Sequence, residues 1–252
     1  MIPAARQKRI LELINNQQIM SIAQLVEEIG VSHMTIRRDI KALEAMGQVV
    51  PVSGGVQLIE RVIEEPTHDD KSFLNQEQKA AIGLKAAEYV PSRGTVFLDS
   101  GTTTREIARH IKNNEDLLVV TNDFEIARWL MRHGRCKLMH TGGTVNKDSY
   151  SAVGELAARF IKNISIDVAF VSTSAWSSEG ITTPDESKII VKNAIIKSAR
   201  SKILVVDSSK YGKIATFNVS DLSVFNLIIS DKNLQKKSQD MIDKRGISIS
   251  LV

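Results

Sequence analysis

Residues 31–40 read Val-Ser-His-Met-Thr-Ile-Arg-Arg-Asp-Ile, and this stretch decides how the N-terminal part of the chain folds. Ser32 is a favourable helix N-cap residue, and the apolar residues Ile36, Ile40 and Leu43 follow it at spacings of four and three. That periodicity gathers them on one side of a helix. The stretch therefore predicts a short helix with one packed face and one free face.

The segments on either side of this helix complete a recognisable motif. A first helix is predicted over residues 6–16, and Ser21 with Gln24 forms a capping-box pattern that opens a second helix ending at Ile29. After Gly47, residues 49–58 contain two short β-prone runs around a Gly-Gly turn, which is typical of a hairpin. Helices followed by a hairpin predict a winged helix-turn-helix.

The free face of the predicted third helix carries Met34 and three cations. An isolated basic amphipathic helix is more often a solvated surface, but the complete helix, helix and hairpin arrangement favours a helix that lies in the major groove of DNA. Asp39 falls toward the packed flank, so we expect it to pair within the protein. The candidate DNA-binding residues are Ser32, His33, Thr35, Arg37, Arg38 and Lys41.

Composition narrows the class of protein. The net charge is +4 over 252 residues, and the first sixty residues are about neutral, so one N-terminal domain would bind DNA modestly. We therefore expect a homo-oligomer, a dimer or tetramer, acting on paired half-sites. The chain opens without an apolar leader, and its lone Cys136 cannot form an internal disulfide, which favours a cytoplasmic protein with no membrane partner. Neither a metal site nor a cofactor is predicted.

The pattern of apolar runs divides the chain into three parts. Residues 1–59 form the predicted DNA-binding domain, and residues 60–75 are charged and poorly periodic, which is typical of a linker. From residue 76 to residue 252, short apolar runs alternate with amphipathic helices. This alternation predicts an α/β domain with a parallel sheet covered on both faces.

Four predicted strands end in hydroxyl, amide or glycine residues. These ends are residues 99–104 (DSGTTT), 121–123 (TND), 141–144 (TGGT) and 207–212 (DSSKYG). Ligands of open α/β sheets bind beyond the carboxyl ends of the strands, and a helix N-terminus after a glycine suits a phosphate. Each segment alone is more often an ordinary cap or turn, but four equivalent strand ends indicate a ligand site. No catalytic residue is assigned.

The N-terminal motif resembles that of the DeoR family of bacterial transcriptional regulators. The resemblance is carried by Val31-Ser32, the run 35–40 (TIRRDI), Leu43-Glu44, Gly47 and Gly54-Gly55. In the wing, Pro51 and Ser53 stand where the family commonly has Arg and His, so we expect more of the DNA binding to fall to the helix. Within the family the chain looks closest to the YgbI-type members.

For the second domain, the resemblance implies a sensor fold similar to ribose-5-phosphate isomerase and the CoA transferases. It also implies a phosphorylated sugar or sugar acid as effector. Residues 172–176 depart from the family pattern, and Trp176 is interpreted as core, or else as a wall of the sugar pocket. The candidate effector-binding residues are Ser100, Gly101, Thr102, Thr103, Asn122, Gly143 and Lys210.

Three functions are weighed. The first is a regulator, most simply a repressor of a carbohydrate or sugar-acid catabolic operon, that binds double-stranded operator DNA under control of a phosphorylated metabolite. The alternative is a phosphosugar isomerase-like enzyme with an added DNA-binding domain, but residues 172–177 lack the carboxylate that related isomerases carry there. The third is a sensor of a dinucleotide. The sequence does not favour it, because no Gly-x-Gly-x-x-Gly turn follows a predicted strand.

Overall fold

The computed structural model describes residues 1–17, 19–52 and 55–252. The chain forms two compact units, Met1–Arg61 and Val62–Val252. Ser53 and Gly54 of the predicted wing turn lie outside the described residues, and so does the side chain of Pro51. The three-part division predicted above, with a boundary at residue 59 and a linker to residue 75, remains a prediction.

The N-terminal unit is a winged helix-turn-helix. Strands β1, β3 and β2 form a small antiparallel sheet in that order, with Pro51 paired to Val56 and Ile19 paired to Gln57. The hairpin was predicted, whereas the two-residue strand β1 was not. The elements are α1 (Pro3–Gln17), β1 (Ile19–Met20), α2 (Ile22–Ile29), α3 (His33–Ala45), β2 (Val49–Val52) and β3 (Gly55–Leu58).

Local sequence explains where these helices begin. The Ser21 hydroxyl accepts a hydrogen bond from the Gln24 backbone N–H at 3.2 Å, and the Gln24 side chain accepts one from the Ser21 N–H at 2.8 Å. This is the predicted capping box. Ser32 caps α3 by accepting from the Thr35 N–H at 3.3 Å. Behind them, Ile36, Ile40 and Leu43 enter one apolar core with residues of α1, α2 and the hairpin.

The C-terminal unit is built on a seven-stranded parallel sheet in the order β17-β16-β13-β10-β5-β6-β7. Its strands and helices up to the sheet's centre are β4 (Glu60–Val62, at the boundary of the two units), α4 (His68–Phe73), α5 (Gln76–Ala87), β5 (Gly94–Leu98), α6 (Thr102–Ile111), β6 (Leu117–Thr121), α7 (Phe124–His133), β7 (Lys137–His140), β8 (Thr144–Asn146) and β9 (Ser151–Val153). The remainder are α8 (Gly154–Lys162), β10 (Ile166–Val171), β11 (Ala175–Trp176), β12 (Gly180–Thr183), α9 (Ser187–Ser198), β13 (Ala199–Val205), β14 (Lys213–Ala215), β15 (Phe217–Asp221), β16 (Leu227–Ser230), α10 (Lys236–Lys244) and β17 (Ile249–Leu251).

Both faces of this sheet are buried, as the apolar strand sequences predict. Phe97 of β5 faces a core shared with α8, α9 and α10, whereas its neighbours Val96 and Leu98 face a core shared with α5, α6 and α7. Successive residues of a strand point to opposite faces, so a strand buried on both sides must be apolar throughout. The α/β fold class predicted from the sequence is confirmed.

The segment that leads into the sheet domain is ordered by its own contacts. Thr67 caps α4 through a capping box with Asp70, and the side chains of Glu65 and Lys71 form an ion pair at 2.8 Å. His68 is buried. We call residues Val62–Asn75 the strap. The strap belongs to the C-terminal unit.

Burial explains the roles of two side chains named in the sequence analysis, Trp176 and Cys136. Trp176 is fully buried in the core and meets the Tyr211 ring edge-on at 4.8 Å between centroids, so it is a packing residue. Cys136 is half-buried, and burial raises the pKa of its thiol. A raised pKa keeps a thiol protonated and unreactive.

Among the helices described, none is long and apolar enough to cross a membrane.

Candidate DNA-binding face and effector site

The outer face of α3 presents the cations that the sequence assigned to DNA binding. Arg37, Arg38 and Lys41 are exposed, as are Ser32 and His33 at the start of the helix. Met34, 75% exposed, lies on the same face. Exposed cations on one side of a helix suit contacts with phosphates and base edges.

Thr35 and Asp39 have partners inside the protein. The Thr35 hydroxyl lies 3.0 Å from the Ser32 hydroxyl, so both side chains take part in capping α3. Asp39 is buried and ion-paired with the Arg6 guanidinium, whose second contact, from Nη2 to Oδ1, is 3.2 Å. The predicted internal role of Asp39 is confirmed, and its partner comes from α1. This ion pair holds α3 against α1.

In the sheet domain, Asp99 organises the strand ends. Its carboxylate accepts hydrogen bonds from the backbone N–H of Ser100 at 2.9 Å and of Ser172 at 3.1 Å. The buried ammonium of Lys192 binds the same carboxylate at 2.5 Å and the Ser172 carbonyl at 2.6 Å. A buried ion pair with its remaining hydrogen bonds satisfied holds its neighbours in fixed positions. Asp99 and Lys192 therefore join the ends of β5 and β10 to α9.

The loop from β5 to α6 holds four of the predicted effector residues. Gly101 has φ 155°, and a Cβ there would lie 2.8 Å from the Ser172 hydroxyl, so glycine is required. Its N–H donates to the Asp123 carboxylate at 3.0 Å. Thr102 and Thr103 begin α6, where the first backbone N–H groups have no partner within the helix. Ser100 is half-buried beside them.

Asp123 holds this loop through a buried carboxyl group. It caps α7 by accepting from the Ile126 N–H at 2.8 Å and accepts from Gly101 as well. Burial raises the pKa of Asp123 to about 7, although these backbone hydrogen bonds oppose the rise. The loop that carries the predicted phosphate contacts is thus attached to a group that titrates near neutral pH.

Asn122 and Gly143 are positioned differently from the loop residues. Asn122 is buried and donates from Nδ2 to the Ala152 carbonyl at 3.2 Å, while its Oδ1 has no hydrogen bond within the described residues. Gly143 is exposed in the turn between β7 and β8. Both are at strand ends, as predicted, but within the described residues no hydrogen bond joins them to the cations described next.

Lys210 lies after the end of β13, in a short 3-10 turn. Its ammonium donates to the Thr173 carbonyl at 3.1 Å and lies 3.6 Å from the buried carboxylate of Asp207. Asn75 of the strap donates to Asp207 at 3.1 Å and to the Ser209 hydroxyl at 3.0 Å. The strap therefore contacts the loop that carries Lys210.

Three further cations adjoin Lys210 that the sequence reasoning did not select. Lys79 of α5 is buried and donates to the Lys71 carbonyl. Burial lowers the pKa of Lys79 to about 8, and the positive charges of Lys210, Lys71 and Arg105 act in the same direction, against Asp207. Burial also lowers the pKa of Lys71. We call Lys71, Lys79, Arg105 and Lys210 the cation cluster.

Their helical positions gave no signal of this convergence, because cations on amphipathic helices are usually solvated. Burial of several like charges close together is unfavourable unless an anion joins them. A cleft of about 460 Å³ beside this cluster is lined by Lys79, Thr102 and Arg105, together with residues of α4, α5 and α6. A second cleft of about 630 Å³ is lined by residues of α8 and α9 and contains none of the predicted effector residues.

The arrangement has no feature of a metal centre in the described part of the chain, where no three His, Cys, Asp or Glu residues are grouped to hold an ion. What it offers is positive charge, a helix N-terminus and hydroxyl groups at one edge of a parallel sheet. That combination suits an anionic ligand.

Comparison with known proteins identifies the family. Residues 6–62 match the DeoR-like helix-turn-helix domain, and residues 74–232 match the DeoR C terminal sensor domain. The chain belongs to the DeoR family of transcriptional regulators. The predicted resemblance is thereby confirmed, and the protein is a DNA-binding regulator and not an isomerase.

Full-length relatives agree with this assignment. An uncharacterized HTH-type transcriptional regulator of Haemophilus influenzae is 55% identical, covering 100% of this chain and 98% of its own. The HTH-type regulator YgbI of Escherichia coli is 47% identical over 99% of this chain and 98% of its own. The glycerol-3-phosphate regulon repressor of Escherichia coli is 32% identical over 90% of each chain.

Proposed function

We propose that this DeoR-family regulator represses a carbohydrate or sugar-acid catabolic operon and that a phosphorylated sugar or sugar acid controls its binding to operator DNA. The observation that carries the effector proposal is the cation cluster. Lys71, Lys79, Arg105 and Lys210 come from separate elements. Among the described residues, Lys71 pairs with Glu65 and Lys210 lies 3.6 Å from Asp207, whereas Lys79 and Arg105 form no ion pair. A phosphate dianion supplies the missing negative charge.

In this proposal, the phosphate lies between the cation cluster and the start of α6. Lys210 and Lys79 contribute charge, and the first turn of α6 contributes backbone N–H groups and threonine hydroxyls. Asn122 and Gly143, at the neighbouring strand ends, contact the remainder of the effector. The full set proposed from the sequence is Ser100, Gly101, Thr102, Thr103, Asn122, Gly143 and Lys210, to which Lys71, Lys79 and Arg105 are added here.

On the DNA side, we assign base or phosphate contacts to the exposed face of α3. Arg37 and Arg38 serve both guanine edges and phosphate, whereas Lys41 serves phosphate. The set is Ser32, His33, Thr35, Arg37, Arg38 and Lys41. One relative is named as a glycerol-3-phosphate regulon repressor. That name supports a link between the regulated genes and phosphorylated small molecules.

The proposal includes a homo-oligomer in the cytoplasm. One winged helix covers one half-site, and two copies related by symmetry cover a palindromic operator. Effector binding then acts by changing how well the paired recognition helices match the spacing of their half-sites.

The test separates the two sites by mutation. Fluorescence anisotropy would measure binding to DNA from upstream of the protein's own gene, with and without paired free and phosphorylated sugars and sugar acids. We expect Lys210→Ala to bind DNA normally but to lose the response to the phosphorylated compound. Arg38→Ala should lose roughly 1–3 kcal/mol of DNA affinity if the residue reads a base. Lys197→Ala, an exposed lysine of α9, should change neither property.

A response of Lys210→Ala equal to that of the unmodified protein would refute the effector site. Unchanged DNA affinity in both Arg37→Ala and Arg38→Ala would refute the recognition face.

A further inference from the structure

His68 in the strap has unused hydrogen-bonding capacity. Its side chain is 3% exposed, and neither ring nitrogen has a hydrogen-bond partner within the described residues. The closest carboxylate oxygen, of Asp69, lies 3.9 Å from Nδ1, beyond hydrogen-bond distance. Buried polar atoms in proteins are nearly always paired, so an unpaired imidazole needs an explanation.

A second unpaired donor lies on α6, a helix that packs against α4. The helix α4, which begins at His68, packs on α6, and Arg105 of α6 has a buried Nε with no hydrogen-bond partner in the described chain. Burial, followed by the charges of Arg105 and Lys71, lowers the pKa of His68, against the opposing effect of Glu125 and Asp69. Together these influences favour the neutral form of the imidazole.

A neutral imidazole carries one N–H donor and one nitrogen acceptor, and the guanidinium Nε–H is a donor. Hydroxyl groups donate and accept in the same way, so the two side chains together match an oxygen-rich carbon chain. The dianion of a phosphate monoester only accepts hydrogen bonds, so it would use the cations and leave the imidazole acceptor unsatisfied. The pair thus calls for a ligand part that is chemically distinct from phosphate.

We propose that His68 is a specificity-determining residue of the effector site, which with Arg105 hydrogen-bonds the hydroxylated carbon chain of the effector. This inference rests on the proposed function. The strap is joined to the cation cluster, because the Lys71 carbonyl accepts from Lys79 and Asn75 donates to Asp207. A ligand that reaches from the cluster to His68 therefore contacts the segment that follows the DNA-binding unit in the chain.

A purely structural role for His68 makes a different prediction. The ring lies 5.1 Å from the Tyr150 ring, and the His68 backbone N–H donates to the Asp148 carbonyl at 2.6 Å. Phenylalanine would keep both contacts and would remove two unpaired polar atoms. If packing were the only role, His68→Phe would preserve or raise the melting temperature and leave ligand binding unchanged.

The experiment compares the unmodified full chain with His68→Phe, His68→Asn and the control His110→Phe, an exposed histidine of α6. Calorimetry would measure binding of inorganic phosphate and of a panel containing ribose 5-phosphate, glucose 6-phosphate, 4-phosphoerythronate and 6-phosphogluconate. Thermal melts of all four proteins would report folding. The sugars and the acids in the panel distinguish a neutral chain from a carboxylated one.

We expect equal affinity for inorganic phosphate in all four proteins. For the best compound of the panel, His68→Phe should lose roughly tenfold or more in affinity, and His68→Asn, whose amide keeps a donor and an acceptor, should recover part of it. Equal affinity of His68→Phe and the unmodified protein for that compound would overturn the inference and leave the proposed function intact. Failure of the unmodified protein to bind any phosphorylated compound would overturn both.

Discussion

Lys79 is the residue at which burial and charge oppose each other most clearly. Its ammonium is enclosed by α5 and the strap and faces Lys71, Arg105, Lys210 and Asp207. Its pKa, ordinarily 10.5, is lowered to about 8, because burial and three neighbouring cations disfavour its charge. An anion bound beside Lys79 would raise this pKa again and favour the protonated ammonium.

This predicts that anion binding depends on pH. Lys79 is charged below its pKa of about 8 and neutral above it, so affinity for an anion should fall between pH 7 and pH 9. Sulfate is the suitable probe, since it stays a dianion over this range. Calorimetry in buffers of different ionisation enthalpy should also detect proton uptake on binding near pH 8.

Two variants serve as controls for that profile. Lys79→Arg keeps the charge throughout and should flatten the decline, whereas Lys79→Met should bind sulfate weakly at every pH. A decline of the same size in all three proteins would show that Lys79 is not part of the anion site.

At the scale of elements, the cluster depends on how closely α5 and α6 approach. Gly83 of α5 faces Glu106 of α6, and a Cβ at Gly83 would lie 2.4 Å from the Glu106 Cβ. Lys79 is one turn before Gly83, and Arg105 is the neighbour of Glu106. The small residue therefore sets the distance between two cations on different helices.

We predict that Gly83→Ala weakens effector and sulfate binding although it touches neither ligand. The added methyl forces the helices apart, which offsets the usual gain in helix propensity. Leu84→Ala, at a position 58% exposed on the same helix, is the matched control and should leave binding unchanged. Binding by Gly83→Ala equal to that by the control would mean that the helix spacing is not critical.

Element patterns also explain how much could be predicted from sequence. The predicted strand ends at residues 121–123 and 141–144 follow the observed strands Leu117–Thr121 and Lys137–His140, because apolar runs between amphipathic helices have few other interpretations. The small antiparallel sheet of β11, β12 and β15 was not predicted. Its strands are short, and their pairing depends on contacts distant in the chain.

The residues of the candidate site also fall into a group that the sequence could predict and a group that it could not. The strand-end segments that contain Gly101 and Lys210 follow from the order of elements, and the family resemblance selected these residues within them. Lys79, Arg105 and His68 were missed, because their importance comes from burial against other elements. A charged residue in a helix looks the same in sequence whether it is solvated or enclosed.

At the scale of the whole molecule, the distribution of charge matters more than its total. The net charge of +4 is small for a protein that binds DNA, so sequence-independent attraction is limited. In the proposed function, affinity then comes from the exposed face of α3, presented by two copies of the chain. The strap follows the DNA-binding unit in the chain and contacts the candidate effector site. A change in the strap on effector binding would therefore act on the segment that is covalently joined to the DNA-binding unit.

The most direct test of the account is anisotropy of the unmodified protein on DNA from upstream of its own gene, at two salt concentrations, with each sugar or sugar acid in free and phosphorylated form. We expect tight binding that a scrambled sequence does not reproduce and that one phosphorylated compound changes while its free counterpart does not. Equal binding to the scrambled sequence, or an equal response to the free compound, would contradict the account.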